Sequence, residues 1–229
     1  MSTAMGVGYG VAGHHFLQLP PDTCVLGAGL CSVAGMLPDL DSDSGTPLRE
    51  SLAFGAAVVP MLLVDRWQQM NLPPATMVLV GGLVYLAIRF GLGYFVRRYT
   101  VHRGMFHSIP ALGIVALLGY LVCASVDSRV RYFHSVALAA GFFSHLLLDE
   151  IWSLGLNEGR LRIKSSFGTA IKFWGQSTWG NVSAYAKLLL LGVMAFGDPI
   201  VMARFEQNFA RQRDQIERTA SETLDRVLR

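Results

Sequence analysis

Long apolar stretches alternate with short polar ones along this chain, and the lengths of the apolar stretches carry the first inference. A helix needs about 20 predominantly apolar residues to cross a bilayer. Four segments come near or reach that length: Thr76–Val96, Ile109–Val126, Phe133–Trp152 and Tyr185–Met202. Three shorter ones precede them, Ala4–Leu19, Cys24–Leu37 and Leu52–Val64, each rich in Gly, Ala or Val. Small residues let helix backbones approach closely, which predicts short, tightly packed spans. The expected fold class is all-α, a polytopic transmembrane helix bundle of about five to seven spans. Arg89 interrupts the Thr76 span and is expected to face protein or a polar cavity. Beyond Met202 the pattern changes. Phe205, Phe209, Ile216, Ala220, Leu224 and Val227 recur at three-to-four spacing, which predicts a C-terminal amphipathic helix over 203–229, separate from a bundle over 1–202. Such a helix lies on a membrane surface, pairs with a partner helix or packs on its own domain.

Composition agrees and narrows the class. Of 229 residues, 52% are hydrophobic and only 15% charged, whereas a soluble domain carries about 25% charge. Much of the surface therefore does not face water. A formal net charge of +3 is too small to point to nucleic acid. Cys24, Cys31 and Cys123 lie inside apolar runs without CxxC spacing and read as small buried hydrophobes. The first fifteen residues contain no Lys or Arg, so the first apolar stretch reads as a retained span, not a cleaved signal. Asn181-Val182-Ser183 is a glycosylation sequon in form, and is expected to be fortuitous.

Seven spans would put the N-terminus and the 38–50, 97–106 and 153–183 loops on one face. Those loops carry Arg49, Arg97, Arg98, Arg103, Arg160, Arg162, Lys164 and Lys172, against Arg66, Arg129 and Arg131 in the opposite short loops. The positive-inside rule then makes the first face cytoplasmic, although the six Arg of the tail fall on the other side. Trp67, Trp152, Trp174 and Trp179 fall at or near span ends, where interfacial indoles sit.

Three polar motifs carry candidate chemistry. Leu37-Pro38-Asp39-Leu40-Asp41-Ser42-Asp43 closes an apolar segment, and its alternating carboxylates suit either a hard-cation site or an acidic helix-ending loop. His102-Arg103-Gly104-Met105-Phe106-His107-Ser108 places two histidines five apart at the entrance to the Ile109 span. Ser144-His145-Leu146-Leu147-Leu148-Asp149-Glu150 places His145 and Asp149 one turn apart on a helix face inside a span, where ionisable residues are costly and by default functional. The span count brings all three motifs to the same face. Seven N/O ligands for one location exceed the four of a single zinc, so the pattern suits two metals, or one metal with several supporting partners. His14 and His15 fall on the far face and are weaker ligand candidates, while His134, also on the far side, is expected to be interfacial.

The order and spacing of these motifs resemble the bacterial family of predicted membrane-bound metal-dependent hydrolases. The shared pattern is Leu-Pro-Asp-(Ile/Leu)-Asp, His-Arg-Gly-x-x-His-Ser and Gly-x-x-Ser-His-x-x-x-Asp, here Leu37–Asp41, His102–Ser108 and Gly141–Asp149. The likeness runs from about Gly6 to Trp179. It implies a multi-pass protein of the bacterial inner membrane, with Asp39, Asp41, His102, His107, His145 and Asp149 as ligands of one or two divalent ions, zinc or manganese. Family members carry a further His before the first span, and Met1–Gly6 has none. Either the start of the chain differs or that ligand position is unfilled.

The function this implies is metal-dependent hydrolysis of a lipid or lipid-linked phosphoester at the membrane surface. Asp43 or Asp149 would serve as general base, and Arg103 would stabilise an anionic transition state. The basic segment Arg160–Gly168 would contact either a phosphate or simply anionic lipid. Two alternatives stand beside it. A metal or proton transporter uses intramembrane His and Asp as well, but wants them near the midplane. A non-catalytic membrane protein leaves the convergence of the motifs unexplained.

Overall fold

The computed structural model describes residues 2–41, 46–92, 94, 107–123, 125, 127–157, 160–163, 171–175, 177–199, 201–202, 206–207 and 209–216, with backbone alone at 40–41, 46–47, 154–157 and 160–163. Helices dominate: α1 (Ser2–Leu17), α2 (Pro21–Ala34), α3 (Thr46–Gln69), α4 (Pro74–Leu86), α5 (Ile109–Val122), α6 (Ser128–Ser153) and α7 (Thr178–Phe196). A 3₁₀ turn, Pro38–Asp41, follows α2, and α4 runs on as a π-helical stretch, Ala87–Leu92. The chain divides into two compact units, Met1–Leu191 and Gly192–Arg229. In the second, the described residues from 206 to 216 are helical, with Phe209 and Ile216 exposed.

The seven apolar segments each became a helix, and the helical membrane bundle stands. Among the described residues, Pro74–Leu92, Ser128–Ser153 and Thr178–Phe196 are long and apolar enough to cross a membrane. Arg89 falls in the π-helical stretch and is half-buried. The last span differs from expectation: it begins at Thr178 and ends at Phe196, not Tyr185–Met202. Ser177 starts it, its carbonyl accepting from Asn181 N–H and its hydroxyl from Gly180 N–H, while Gly197-Asp198-Pro199 stops it. A short antiparallel hairpin, β1 (Leu154–Asn157) and β2 (Arg160–Ile163), follows α6 and pairs Asn157 with Arg160. Its signal was the two-residue link Glu158-Gly159 between strand-length runs.

Glycine sets how closely the first unit packs. In α1, Gly6, Gly10 and Gly13 are buried against α2. A Cβ at Gly10 would lie 2.9 Å from the Cys24 carbonyl oxygen, so any larger residue forces the helices apart. Gly13 of α1 and Gly27 of α2 form a notch that holds the ring of Phe133 from α6, and Tyr9 stacks on that ring at 4.7 Å. Replacing a buried Phe by Ala costs about 3–5 kcal/mol. Phe133→Ala is therefore expected to lower the thermal midpoint in detergent more than any substitution on the exposed face of α4.

Side-chain donors pin the α1–α2 turn, where Gln18 adopts φ 52°. The Leu17 carbonyl accepts from Arg129, the Leu19 carbonyl faces His14 Nδ1 at 3.1 Å, and the Thr23 carbonyl faces His134 Nε2 at 3.3 Å. His134 is not interfacial as expected. It is buried between α2 and the end of α5, its Nδ1 lying 3.2 Å from the Cys123 thiol. Among the described residues all three cysteines are buried and free.

Candidate metal centre

At the other end of α2, proline chemistry opens the backbone. Gly35 N–H and Met36 N–H still bond back into the helix, to Cys31 and Val33 carbonyls. Pro38 has no N–H to offer the Gly35 carbonyl three residues back. Asp39 N–H, which would reach Gly35 in a continuing α-helix, instead bonds the Met36 carbonyl at 3.2 Å as the chain tightens into the 3₁₀ turn. The Gly35 carbonyl is thus left for another donor, and His145 Nδ1 supplies it at 2.7 Å. A carbonyl only accepts, so Nδ1 carries the proton and Nε2 presents its lone pair. Metal-bound histidines are oriented in this way, by a hydrogen bond from the nitrogen that does not bind.

Glycine brings α6 close enough for that bond. A Cβ on Gly141 would collide with the Cys31 carbonyl of α2. Gly141 is one turn before His145, and Cys31 one turn before Gly35. The close approach and the hydrogen bond are thus stacked on the same pair of helix faces. Gly35 itself has room for no side chain, since a Cβ there would lie 2.7 Å from Ser2 Cβ.

The Nε2 of His145 points at two carboxylates: it lies 3.5 Å from Asp39 Oδ1 and 3.4 Å from Asp149 Oδ2. His107, just before the N-cap of α5, brings a second Nε2 to the same oxygens, 3.8 Å from Asp39 and 3.6 Å from Asp149. Ser108 caps α5 through Ala111 N–H, and Ile109 N–H bonds the Lys172 carbonyl at 3.0 Å, which holds the His107 end of α5 in place.

These distances exceed the 2.7–3.2 Å or so of an N–H···O hydrogen bond. They approach the about 3.3–3.6 Å that separates ligands around a tetrahedral ion with bonds of about 2.0–2.2 Å. Asp39, His107 and His145 offer ligand atoms all within 4.8 Å of one another, a group that could hold a metal ion. His145 Nε2 is buried with no hydrogen-bond partner, as a nitrogen reserved for an ion would be. The donor set of two imidazoles and carboxylate oxygen fits a zinc- or manganese-class ion.

Of the residues singled out in the sequence, Asp39, His107, His145 and Asp149 converge. Asp41 is described by backbone only, and Asp43, His102 and Arg103 lie outside the described residues. The sequence did not point to the Gly35 carbonyl as an anchor, although Gly35 followed within three residues by Pro38 was its signal. It also missed Asn181. That residue is buried, its amide oxygen accepting from Gly175 N–H at 2.7 Å and its amide nitrogen donating to the Gly175 carbonyl at 2.9 Å. A side chain so engaged is no glycosylation acceptor in the folded protein.

Residues 3–159 match the model of the YdjM inner membrane protein family, well over half the chain. The chain belongs to the YdjM inner membrane protein family. The match takes in Asp39, His107, His145 and Asp149, so the candidate metal-ligand group lies within the YdjM region. The YdjM assignment also agrees with the apolar helices in making this a membrane protein. No match was found among curated proteins or among solved structures.

Proposed function

We propose that the protein is a multi-pass, metal-dependent hydrolase of the inner membrane, acting on a lipid or lipid-linked phosphoester. The observation that carries this reading is the meeting of two imidazole Nε2 atoms and two carboxylates at ligand spacing. Asp39, His107 and His145 would hold the ion, with Asp41 and His102 as further ligands if a second ion binds. A bound divalent ion supplies a water acidified toward neutral pH and a Lewis acid for the phosphoryl oxygen.

Asp149 differs from the other three. It stands outside the tight group of ligand atoms and still lies within 3.6 Å of both imidazoles. That suits a carboxylate that takes a proton from water, the general-base role; Asp43 is the alternate base, and Arg103 would stabilise the anionic transition state. General-base catalysis contributes about 10²–10⁴-fold. Asp149→Asn is expected to lower turnover of a phosphodiester by that order while the protein retains its metal. Loss of metal together with turnover would make Asp149 a ligand instead. Unchanged turnover would remove it from the chemistry.

A transporter would want these groups near mid-membrane. They cluster instead at span ends: His145 and Asp149 lie in the last three turns of α6, and Asp39 just after α2. The basic loops make the site face cytoplasmic in this reading. Modification of a cysteine introduced within residues 42–45 by an impermeant maleimide is expected in inverted vesicles and not in intact cells; the reverse pattern would put the site outside.

A further inference from the structure

The segment Ile171–Gly175 is a strap tied across the site end of the first unit. Its Lys172 carbonyl accepts from Ile109 N–H, two residues after His107. Its Phe173 carbonyl accepts from the Tyr185 hydroxyl at 2.8 Å, Trp174 packs on Tyr185 with ring centroids 5.4 Å apart, and Gly175 is held at both backbone atoms by Asn181. The strap therefore joins the start of α5 to the first two turns of α7. A segment fixed this firmly would ordinarily fold its aromatic rings inward. Here Phe173 and Trp174 remain 63% and 65% exposed. Two more indoles stand exposed at the same end, Trp179 in the first turn of α7 and Trp152 in the last turn of α6.

Both helices that carry these indoles are long and apolar enough to cross a membrane, which says what covers the rings. Indoles at the ends of spanning helices sit at headgroup level. Trp152 is three residues beyond Asp149 on α6, about 4.5 Å along the axis at 1.5 Å per residue. Trp152 and the metal-ligand group thus share nearly one depth.

We propose that the strap, with Trp152 and Trp179, is a docking surface for the headgroup layer of the bilayer. The metal centre then draws its phosphoester from an amphiphile resident in that leaflet, not from water. The substrate half rests on the hydrolase reading; the docking surface does not.

The test uses the full chain in vesicles of phosphatidylcholine and phosphatidylglycerol, with bromines either near the glycerol end or near the chain ends. Tryptophan emission is expected to fall more with the shallow bromines. Trp152→Phe, Trp174→Phe and Trp179→Phe, all at exposed positions, should each remove part of that shallow quenching. Stronger quenching by the deep bromines, or by aqueous acrylamide with no effect of lipid, would overturn the docking surface. For the substrate, metal-loaded protein is given phosphatidylglycerol in the vesicles or bis(p-nitrophenyl) phosphate in solution. Trp174→Ala should lower turnover of the first and leave the second unchanged. Equal turnover of both esters, insensitive to Trp174→Ala, would overturn the leaflet source. Hydrolysis of neither ester would sink the enzyme reading and the substrate half with it, while the quenching result, which needs neither metal nor turnover, decides the surface alone.

Discussion

His145→Ala is expected to abolish metal binding while leaving the bundle folded. In the proposed site the imidazole would contribute one ligand atom and, through Nδ1, makes the hydrogen bond to Gly35 that orients it. Losing a residue that merely orients a ligand typically costs about 10–100-fold in metal affinity, so losing the ligand and its orientation together should exceed about 100-fold. The structural cost is smaller. One intramolecular hydrogen bond is worth about 1 kcal/mol net, and α6 keeps its packing on α2 through Ala137 and Gly141. His134→Ala supplies the contrast. His134 bridges Cys123 and Thr23 at the other end of the same helices, so that variant should lose stability and keep its metal. Titration of both variants with zinc or manganese, alongside thermal unfolding in detergent, separates the two roles. A His145→Ala protein that binds metal as tightly as the native chain would remove His145 from the site.

The second large effect comes from a residue that touches no ligand. Gly141→Val should disable the site from one turn away. Its side chain would be driven into the Cys31 carbonyl, which belongs to the helix backbone and has no rotamer by which to give way. Overpacking of this kind costs about 1–3 kcal/mol, and here relief requires α6 to move off α2. That motion separates His145 from Gly35 and from Asp39 at once. The expected result is a folded but less stable protein whose metal affinity falls along with that of His145→Ala. Gly82→Val is the control, because nothing lies within 4 Å of a Cβ there; it should change neither property. Native affinity in Gly141→Val would mean that the α2–α6 spacing does not set the site.

Much of this was legible in the sequence because the membrane simplifies the code. Apolar length alone located the seven helices, since a buried or lipid-facing helix needs no finer pattern. The motifs at Asp39, His107 and His145–Asp149 were legible because ionisable groups stand out against apolar runs, and the span count brought them to one end. Helix ends were less readable. The last span was placed too late because Thr178-Trp179-Gly180-Asn181 reads as polar loop; Asn181 is helical because its amide is consumed by Gly175. His134 was misplaced for a related reason. Its position at the start of an apolar run suggested an interface, but the Thr23 carbonyl at the α1–α2 turn and the Cys123 thiol meet both of its ring nitrogens inside the protein. The anchoring of His145 was illegible because the partner is a backbone carbonyl, freed by Pro38, and no side-chain pattern records it.

The central claim is that this end of the bundle holds a metal ion. Elemental analysis of the detergent-purified protein tests it most directly, with Asp39→Ala/His145→Ala measured beside the native chain. The prediction is stoichiometric zinc or manganese in the native protein, lost in the double variant while the helical content stays. A native protein that carries no metal even after incubation with each ion, or a double variant that keeps the native amount, would contradict it.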